Sequence, residues 1–344
     1  LDNKAPNWRE SQTLNPEKKP AWLTPTVNGL ANELMTRVNS AAAINGMALT
    51  ALCLLASKTQ TMSKTELAQA MRDYLALFEL APYSANATLP KEDANALLDH
   101  TLSLKRLQVT EDNYGTLISP MADNAVFLTY YRNNIIHLFA LPGIVMTAIF
   151  AHGKLEKTNI LQLIAALYPL LQRELFLHLS QDEALAYTAQ LIDAFKQTGM
   201  LQQKGRYLAL PEADSEQFHS SWLLSRCMQE TLQRYAVVLT ILKRDKSISR
   251  NALERESKTV AERLSKLYGM HSPEFYDKNV LSSFISALRD NHWLDAGEDG
   301  SLKYSEEASA LRKDIMALVW PEIVQHLQQD ILQADRESGA DEKV

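Results

Sequence analysis

Cysteine is scarce, glycine is scarce and no apolar run is long enough to cross a bilayer, and each shortage closes off a class of protein. Only two cysteines occur in 344 residues, Cys53 and Cys227, each alone inside an apolar helical pattern. With no C-x-x-C and no histidine pair at ligand spacing, neither a disulfide framework nor a zinc site is supported, and both thiols are expected to be buried in a reducing compartment. None of the 11 glycines stands in a G-x-G pattern, so phosphate-cradling loops of the Walker or dinucleotide type have nowhere to form. The best apolar stretch, 135–151, is interrupted by His137 and by a Pro142-Gly143 break, short of the ~18–20 apolar residues of a spanning helix. Positive charge is not in excess either: a net charge of -6 argues against a non-specific nucleic-acid binder.

What remains is ordinary globular material, 46% hydrophobic and 22% charged, long enough for two or three compact units. One pattern recurs three times. "ALTALCLLASKTQTMSKTELAQAM" (48–71), "GIVMTAIFAHGKLEKTNILQLI" (143–164) and "YAVVLTILKRDKSISRNALERES" (235–257) place Met62, Leu155 and Ile248 at a constant spacing of 93 residues. "LKRLQVTEDNYGTLISP", "FKQTGMLQQKGRYLALP" and "LRDNHWLDAGEDGSLKYS" follow, with Leu107, Leu201 and Leu294 in register and Gly115, Gly205 or Gly300 in a polar turn between two short strands. The expected fold is mainly α: three winged-helix-like repeats, helical units each with a short two-stranded β-wing. Ser63 with Glu66 forms a capping box, and Leu67, Met71, Tyr74, Leu75 and Phe78 fall on one buried helix face.

Winged helices often read DNA, but Glu111, Asp112, Glu298 and Asp299 put negative charge in two of the three wing turns. Arg250, Arg255, Lys258 and Arg263 are interleaved with Glu254, Glu256 and Glu262, the pattern of a solvated helix face. Catalytic constellations are missing as well. There is no G-x-S-x-G and no H-E-x-x-H, and the eight histidines share no motif. His178 with Asp182 and His292 with Asp295 read as surface pairs or caps. No cofactor, metal site or catalytic residue is expected.

The stretch "FLTYYRNNIIHLFALPGIVMTAIF" (127–150) is the candidate site, because an apolar helix carries polar residues at its centre. At roughly 100° per residue, Tyr130, Asn134 and His137 share a stripe, with Asn133 flanking it and Arg132 on another. Either the stripe docks a missing domain or a lipid phosphate through Arg132, or it is a buried hydrogen-bond network, with Asn134 inside it, tying this helix to the preceding unit. The apolar residues after Pro142 read as a core helix, since they have neither the cationic face nor the boundary aromatics of a helix lying on a membrane.

Five strings carry a resemblance: "APNWRE" (5–10), "PAWLTPTVN" (20–28), "LTYYRNNIIH" (128–137), "ETLQRYA" (230–236) and "LERESKTVAERLSKLYGMHSPEFYDK" (253–278). The chain resembles the C-terminal part of the bacterial membrane-bound glycerol-3-phosphate acyltransferase family over nearly all its length. The resemblance implies a parent enzyme that moves an acyl group from acyl-CoA or acyl carrier protein to the 1-hydroxyl of glycerol 3-phosphate. In that family the general base is the histidine of an H-x-x-x-x-D motif, and a Glu-Gly element helps to receive the phosphate. Neither is present, for no histidine here has aspartate five residues on and no Glu-Gly dipeptide occurs. The chain opens on Leu1 with a polar stretch and reads as an internal cut, the acyltransferase domain preceding it.

The resulting expectation divides the chain into a linker from that domain (1–25), units at 26–120, 121–212 and 213–334, the last with a C-terminal helix, and a disordered tail (335–344). Its expected partners are the missing acyltransferase domain, the acyl donor through that domain, a peripheral inner-membrane surface on its cytoplasmic face, and a further copy of itself, but no nucleic acid. Its expected role is scaffolding, self-association or membrane positioning by a fragment that is itself soluble and inactive. The alternative is a free-standing winged-helix interaction or nucleic-acid-binding protein, told apart by whether an in-frame H-x-x-x-x-D lies upstream.

Overall fold

The computed structural model describes residues 19–121, 125–245, 247–270, 272–297 and 300–329. Among the described residues helix α1 (Leu23–Ser40) comes first. A unit then runs α2 (Gly46–Ala56), β1 (Met62–Ser63), α3 (Lys64–Leu80), α4 (Ala94–Ser103), β2 (Leu107–Asp112) and β3 (Gly115–Pro120). After α5 (Ala125–Asn133) the same order returns as α6 (Ala140–His152), β4 (Lys154–Glu156), α7 (Lys157–Leu175), α8 (Gln181–Gln197), β5 (Gln202–Lys204) and β6 (Tyr207–Ala209). Helix α9 (Glu216–Arg226) leads into the third copy: α10 (Gln229–Arg244), β7 (Ser247–Ile248), α11 (Arg250–Tyr268), α12 (Lys278–Asp290), β8 (Leu294–Ala296) and β9 (Leu302–Tyr304), then α13 (Glu306–Leu318). A 3-10 turn, Pro273–Tyr276, joins α11 to α12. The start of the expected linker and the whole of the expected tail lie outside the described residues.

The expected two-stranded wings are three-stranded antiparallel sheets, ordered β1-β3-β2, β4-β6-β5 and β7-β9-β8. The additional strand holds the register residues themselves: Met62 faces Ile118, Leu155 faces Leu208 and Ile248 faces Leu302. Two or three residues are too few to show an alternating pattern, so this strand was invisible to periodicity. It leads straight into the next helix, which the side chains of Ser63 and Ser249 cap in the first and third copies. The Ser63–Glu66 capping box is present, and a second, Ser180–Glu183, opens α8.

In the first two copies the first helix is apolar nearly all round, and such a helix must be buried on every side; its counterpart α10 is buried too, although it carries Gln229, Gln233 and Arg234. Gly46–Leu54, 140–149 and 231–242 are accordingly buried without a break. The buried apolar side chains form one cluster running from Ile44 to Leu327, so the three copies share a core. Pro142 and Gly143 do not break the second of these helices. They sit in the first turn of α6, where a missing N–H loses no intrahelical bond. The break lies earlier, in the hydrogen-bonded turns from Asn134 to Phe139. No described helix is long and apolar enough to cross a membrane.

Two glycines allow close helix contact. A Cβ on Gly46 would lie 2.7 Å from the Leu97 carbonyl oxygen and 2.5 Å from Thr101 Oγ1, whereas one on Gly143 would meet the side chains of Cys227 (2.6 Å) and Met228 (2.9 Å). A backbone carbonyl held in α4 cannot swing aside as a methionine can. Gly46→Ala is therefore expected to destabilise the chain by about 1–3 kcal/mol, and Gly143→Ala by less. Urea denaturation of both variants checks this, and equal losses would contradict the argument.

Candidate functional site

The polar residues at the centre of 127–150 do not share one face, because the helix carrying them stops. α5 ends at Asn133, and the Arg132 carbonyl accepts from both Ile135 N (3.0 Å) and Ile136 N (2.8 Å), tightening the chain into turns. The turns carry Ile135, Leu138 and Phe139 into the core. They also divide the expected stripe. Tyr130 is 64% exposed and Asn134 is exposed as well, while Arg132 and His137 are buried. The expectation that Asn134 belongs to a buried network is thus corrected: one residue beyond the helix end, it faces solvent.

Arg132 and Asn133 do join a buried network, but its partners come from the following unit, not the preceding one. Arg132 Nη1 donates to Glu230 Oε2 at 2.8 Å, and its Nη2 donates to Ser272 Oγ at 3.2 Å. Ser272 donates to Glu274 Oε2 at 2.7 Å, and the Asn133 amide donates to the other oxygen of Glu274. One turn along α10 from Glu230, Arg234 forms an ion pair with Glu174 of α7 and reaches Thr231 Oγ1 at 3.3 Å and the Glu274 carbonyl at 3.5 Å. Burial opposes the charge on Arg234, but its neighbours, Glu174 foremost, more than offset it and hold the guanidinium charged. Two polar atoms here, Glu174 Oε2 and Arg234 Nε, are buried without a partner.

A cavity of about 210 Å³ opens beside this cluster, bounded by Arg132, His137, Glu174, Arg234 and, from α1, Met35 and Asn39. His137 stands apart from the ion pairs. Its Nε2 lies 2.9 Å from the Asn39 carbonyl, which requires the Nε2–H tautomer, and its ring meets Tyr83 edge-on at 5.7 Å. Burial lowers its pKa to about 4, so the ring is neutral near pH 7.

The other candidates resolve quietly. His178 packs edge-on against Tyr83 at 4.6 Å, and Glu183 is the carboxylate acting on it. His292 is exposed in a left-handed turn after α12. Both cysteines are free, and burial pushes the Cys227 thiol up to about 12 and Cys53 higher still, so neither is a ready thiolate. Among the described residues no group of His, Cys, Asp and Glu is arranged to hold a metal ion.

Sequence reasoning missed Glu174, Glu230, Arg234, Ser272 and Glu274. A signal for four of them existed, since Glu230 and Arg234 lie in "ETLQRYA" and Ser272 and Glu274 in the string 253–278. Three strings far apart in the chain thus meet in one cluster. It contains two guanidinium groups and three carboxylates, mutually engaged, with no hydroxyl set beside a free base. Chemically it is a cross-link between α5, α7, α10 and the 3-10 turn.

The sequence profile of the glycerol-3-phosphate acyltransferase C-terminal region matches residues 1–297. A glycerol-3-phosphate acyltransferase of Alteromonas mediterranea is 66% identical over 328 residues, 95% of this chain and 40% of the relative. One of Pseudoalteromonas atlantica is 51% identical over 329 residues, 96% of this chain and 41% of that protein. The chain therefore spans about 40% of the length of the relatives it matches.

Proposed function

The chain belongs to the family of glycerol-3-phosphate acyltransferase C-terminal regions, and from that premise we propose that it is a non-catalytic segment that packs against and positions the acyltransferase portion of such an enzyme. The reaction served is acyl transfer from acyl-CoA or acyl carrier protein to the 1-hydroxyl of glycerol 3-phosphate, the entry to phospholipid synthesis, at the cytoplasmic face of the inner membrane. One observation carries the reading. The charged residues of the strings 128–137, 230–236 and 272–274 are engaged in a largely buried cross-link, Arg132 with Glu230, Arg234 with Glu174, and Glu274 with Asn133 and Ser272, so they are tied up in shape rather than presented to a substrate. His137 is a weak base, because burial lowers its pKa to about 4, and its Nε2–H is spent on a backbone carbonyl.

The test is direct: the purified chain is expected to show no glycerol-3-phosphate-dependent release of CoA above a heat-treated control, while the enzyme that includes the acyltransferase portion shows it. Turnover by the chain alone would overturn the reading.

The repeated order of helix, strand, two helices and two strands, with the last strand central in each sheet, supports reading the copies as three winged-helix-like units. Their charge does not suit a duplex. Glu111 and Asp112 are exposed at the tip of the first wing, and the third wing's Glu298 and Asp299 lie outside the described residues. Two basic groups of α11 are paired, Arg250 with Glu254 at 2.9 Å and Lys258 with Glu262 at 3.6 Å, and Glu254 is buried rather than solvated. A titration with labelled duplex DNA at low salt is expected to show no saturable binding. Micromolar affinity that weakens steeply with added salt would restore the nucleic-acid alternative.

A further inference from the structure

Helix α1 is amphipathic the wrong way round for a helix of this body. Leu23, Val27, Leu30, Leu34 and Val38 recur at helical spacing along one stripe, and none of the 18 residues of α1 is buried. Val27, Leu30, Leu34 and Val38 are each more than half exposed. The opposite side, with Asn28, Asn32 and Thr36, faces Gln172, Arg173 and Phe176 across an open cleft. The helix is nevertheless held in place at its C-terminal end. Asn39 Nδ2 donates to the Leu175 carbonyl at 2.7 Å, His137 Nε2 donates to the Asn39 carbonyl, and Ser84 donates to that of Ser40. A tethered helix that shows its own body the polar side and solvent the apolar side has a partner for the apolar side.

We propose that the stripe Leu23–Val27–Leu30–Leu34–Val38 is the docking surface for the acyltransferase portion of the same polypeptide, an inference that rests on the packing role proposed above. The larger part of each relative lies outside the matched segment, and the family is a C-terminal region, so in the relatives α1 is the first described helix on the side of that larger part. A lipid surface suits the stripe poorly. The charges of α1, Glu33 and Arg37, pair with each other at 2.7 Å, leaving no cationic face for anionic headgroups. A second copy suits it poorly too, because five aliphatic side chains on one helix fall well short of the ~800 Å² per partner of a stable interface. Within one polypeptide a small apolar contact suffices, since the chain itself keeps the partner at high effective concentration.

The test uses the full-length enzyme with a photo-crosslinking amino acid at Leu30 or at Leu34, read by peptide mapping. Cross-links to peptides of the same polypeptide outside this segment are expected. Cross-links only to lipid, only to a second copy of the stripe, or to nothing overturn the inference. Lysine-reactive cross-linking of the same preparation separates the two readings. If it joins other faces of this segment to the acyltransferase portion while the stripe stays silent, the docking surface is wrong and the packing role stands; if it joins nothing, both fall. Leu30→Gln with Leu34→Gln, which keeps helix propensity, adds a functional arm. The isolated chain is expected to keep its melting temperature, while the full enzyme loses activity roughly ten- to hundredfold through misplacement of its parts. Full activity in that variant would also overturn the inference.

Discussion

Replacing Arg234 with alanine is expected to remove about 3–5 kcal/mol of stability, the usual cost of taking one partner from a buried ion pair. The side chains of Arg234 and Glu174 are only 5% and 10% exposed, so neither water nor salt screens what is left behind. Loss of the guanidinium strands the Glu174 carboxylate and also releases Thr231 Oγ1 and the Glu274 carbonyl from their donor. The cost lies in the stranded charge, not in the contact itself. Arg234→Met combined with Glu174→Leu should therefore recover most of the loss, because a well-packed apolar pair replaces a buried ionic one at little cost. Denaturation curves for the four members of this double-mutant cycle at pH 7 check it. If Arg234→Ala costs less than about 1 kcal/mol, the pair behaves as an exposed one and the cross-link assigned to it does not exist.

Stability is also expected to fall as the pH is lowered from about 6.5 to about 4, with His137 a principal cause. Burial depresses its pKa from 6.5 to about 4 in the folded chain, against a smaller opposing effect of the Asn39 carbonyl. Between those values the unfolded chain binds the proton and the folded chain does not, so acid favours unfolding. The stabilisation is complete above the unfolded value and is lost as the pH falls through the folded one. Its size is of order 3 kcal/mol at most. His178, also depressed by burial, titrates in the same direction. His137→Gln keeps a donor for the Asn39 carbonyl and removes the titration, so its stability should depend less steeply on pH in this window. A slope as steep as that of the parent chain would exclude His137 as the source.

Much of the fold was legible because its signals are local. A capping box needs only Ser63 and Glu66, and the buried face of α3 needs only the spacing of Leu67, Met71, Tyr74, Leu75 and Phe78. The threefold repeat shows in the spacing of Met62, Leu155 and Ile248, yet the strand those residues occupy did not show, being two or three residues long. The candidate site was half legible. A helical projection put Tyr130, Asn134 and His137 together, and the helix end at Asn133 separated them.

By itself the sequence determined the mainly helical class, the Ser63–Glu66 cap, the threefold order and the resemblance to an acyltransferase C-terminal region, because hydrogen bonds and apolar periods between near neighbours encode them. Tertiary structure alone decided that Arg132 meets Glu230 and Ser272, that Arg234 meets Glu174, and that the apolar stripe of α1 turns outward. Partners separated by 60 to 140 residues are brought together only when the shared core closes, and no local pattern records which charges that closure will trap side by side.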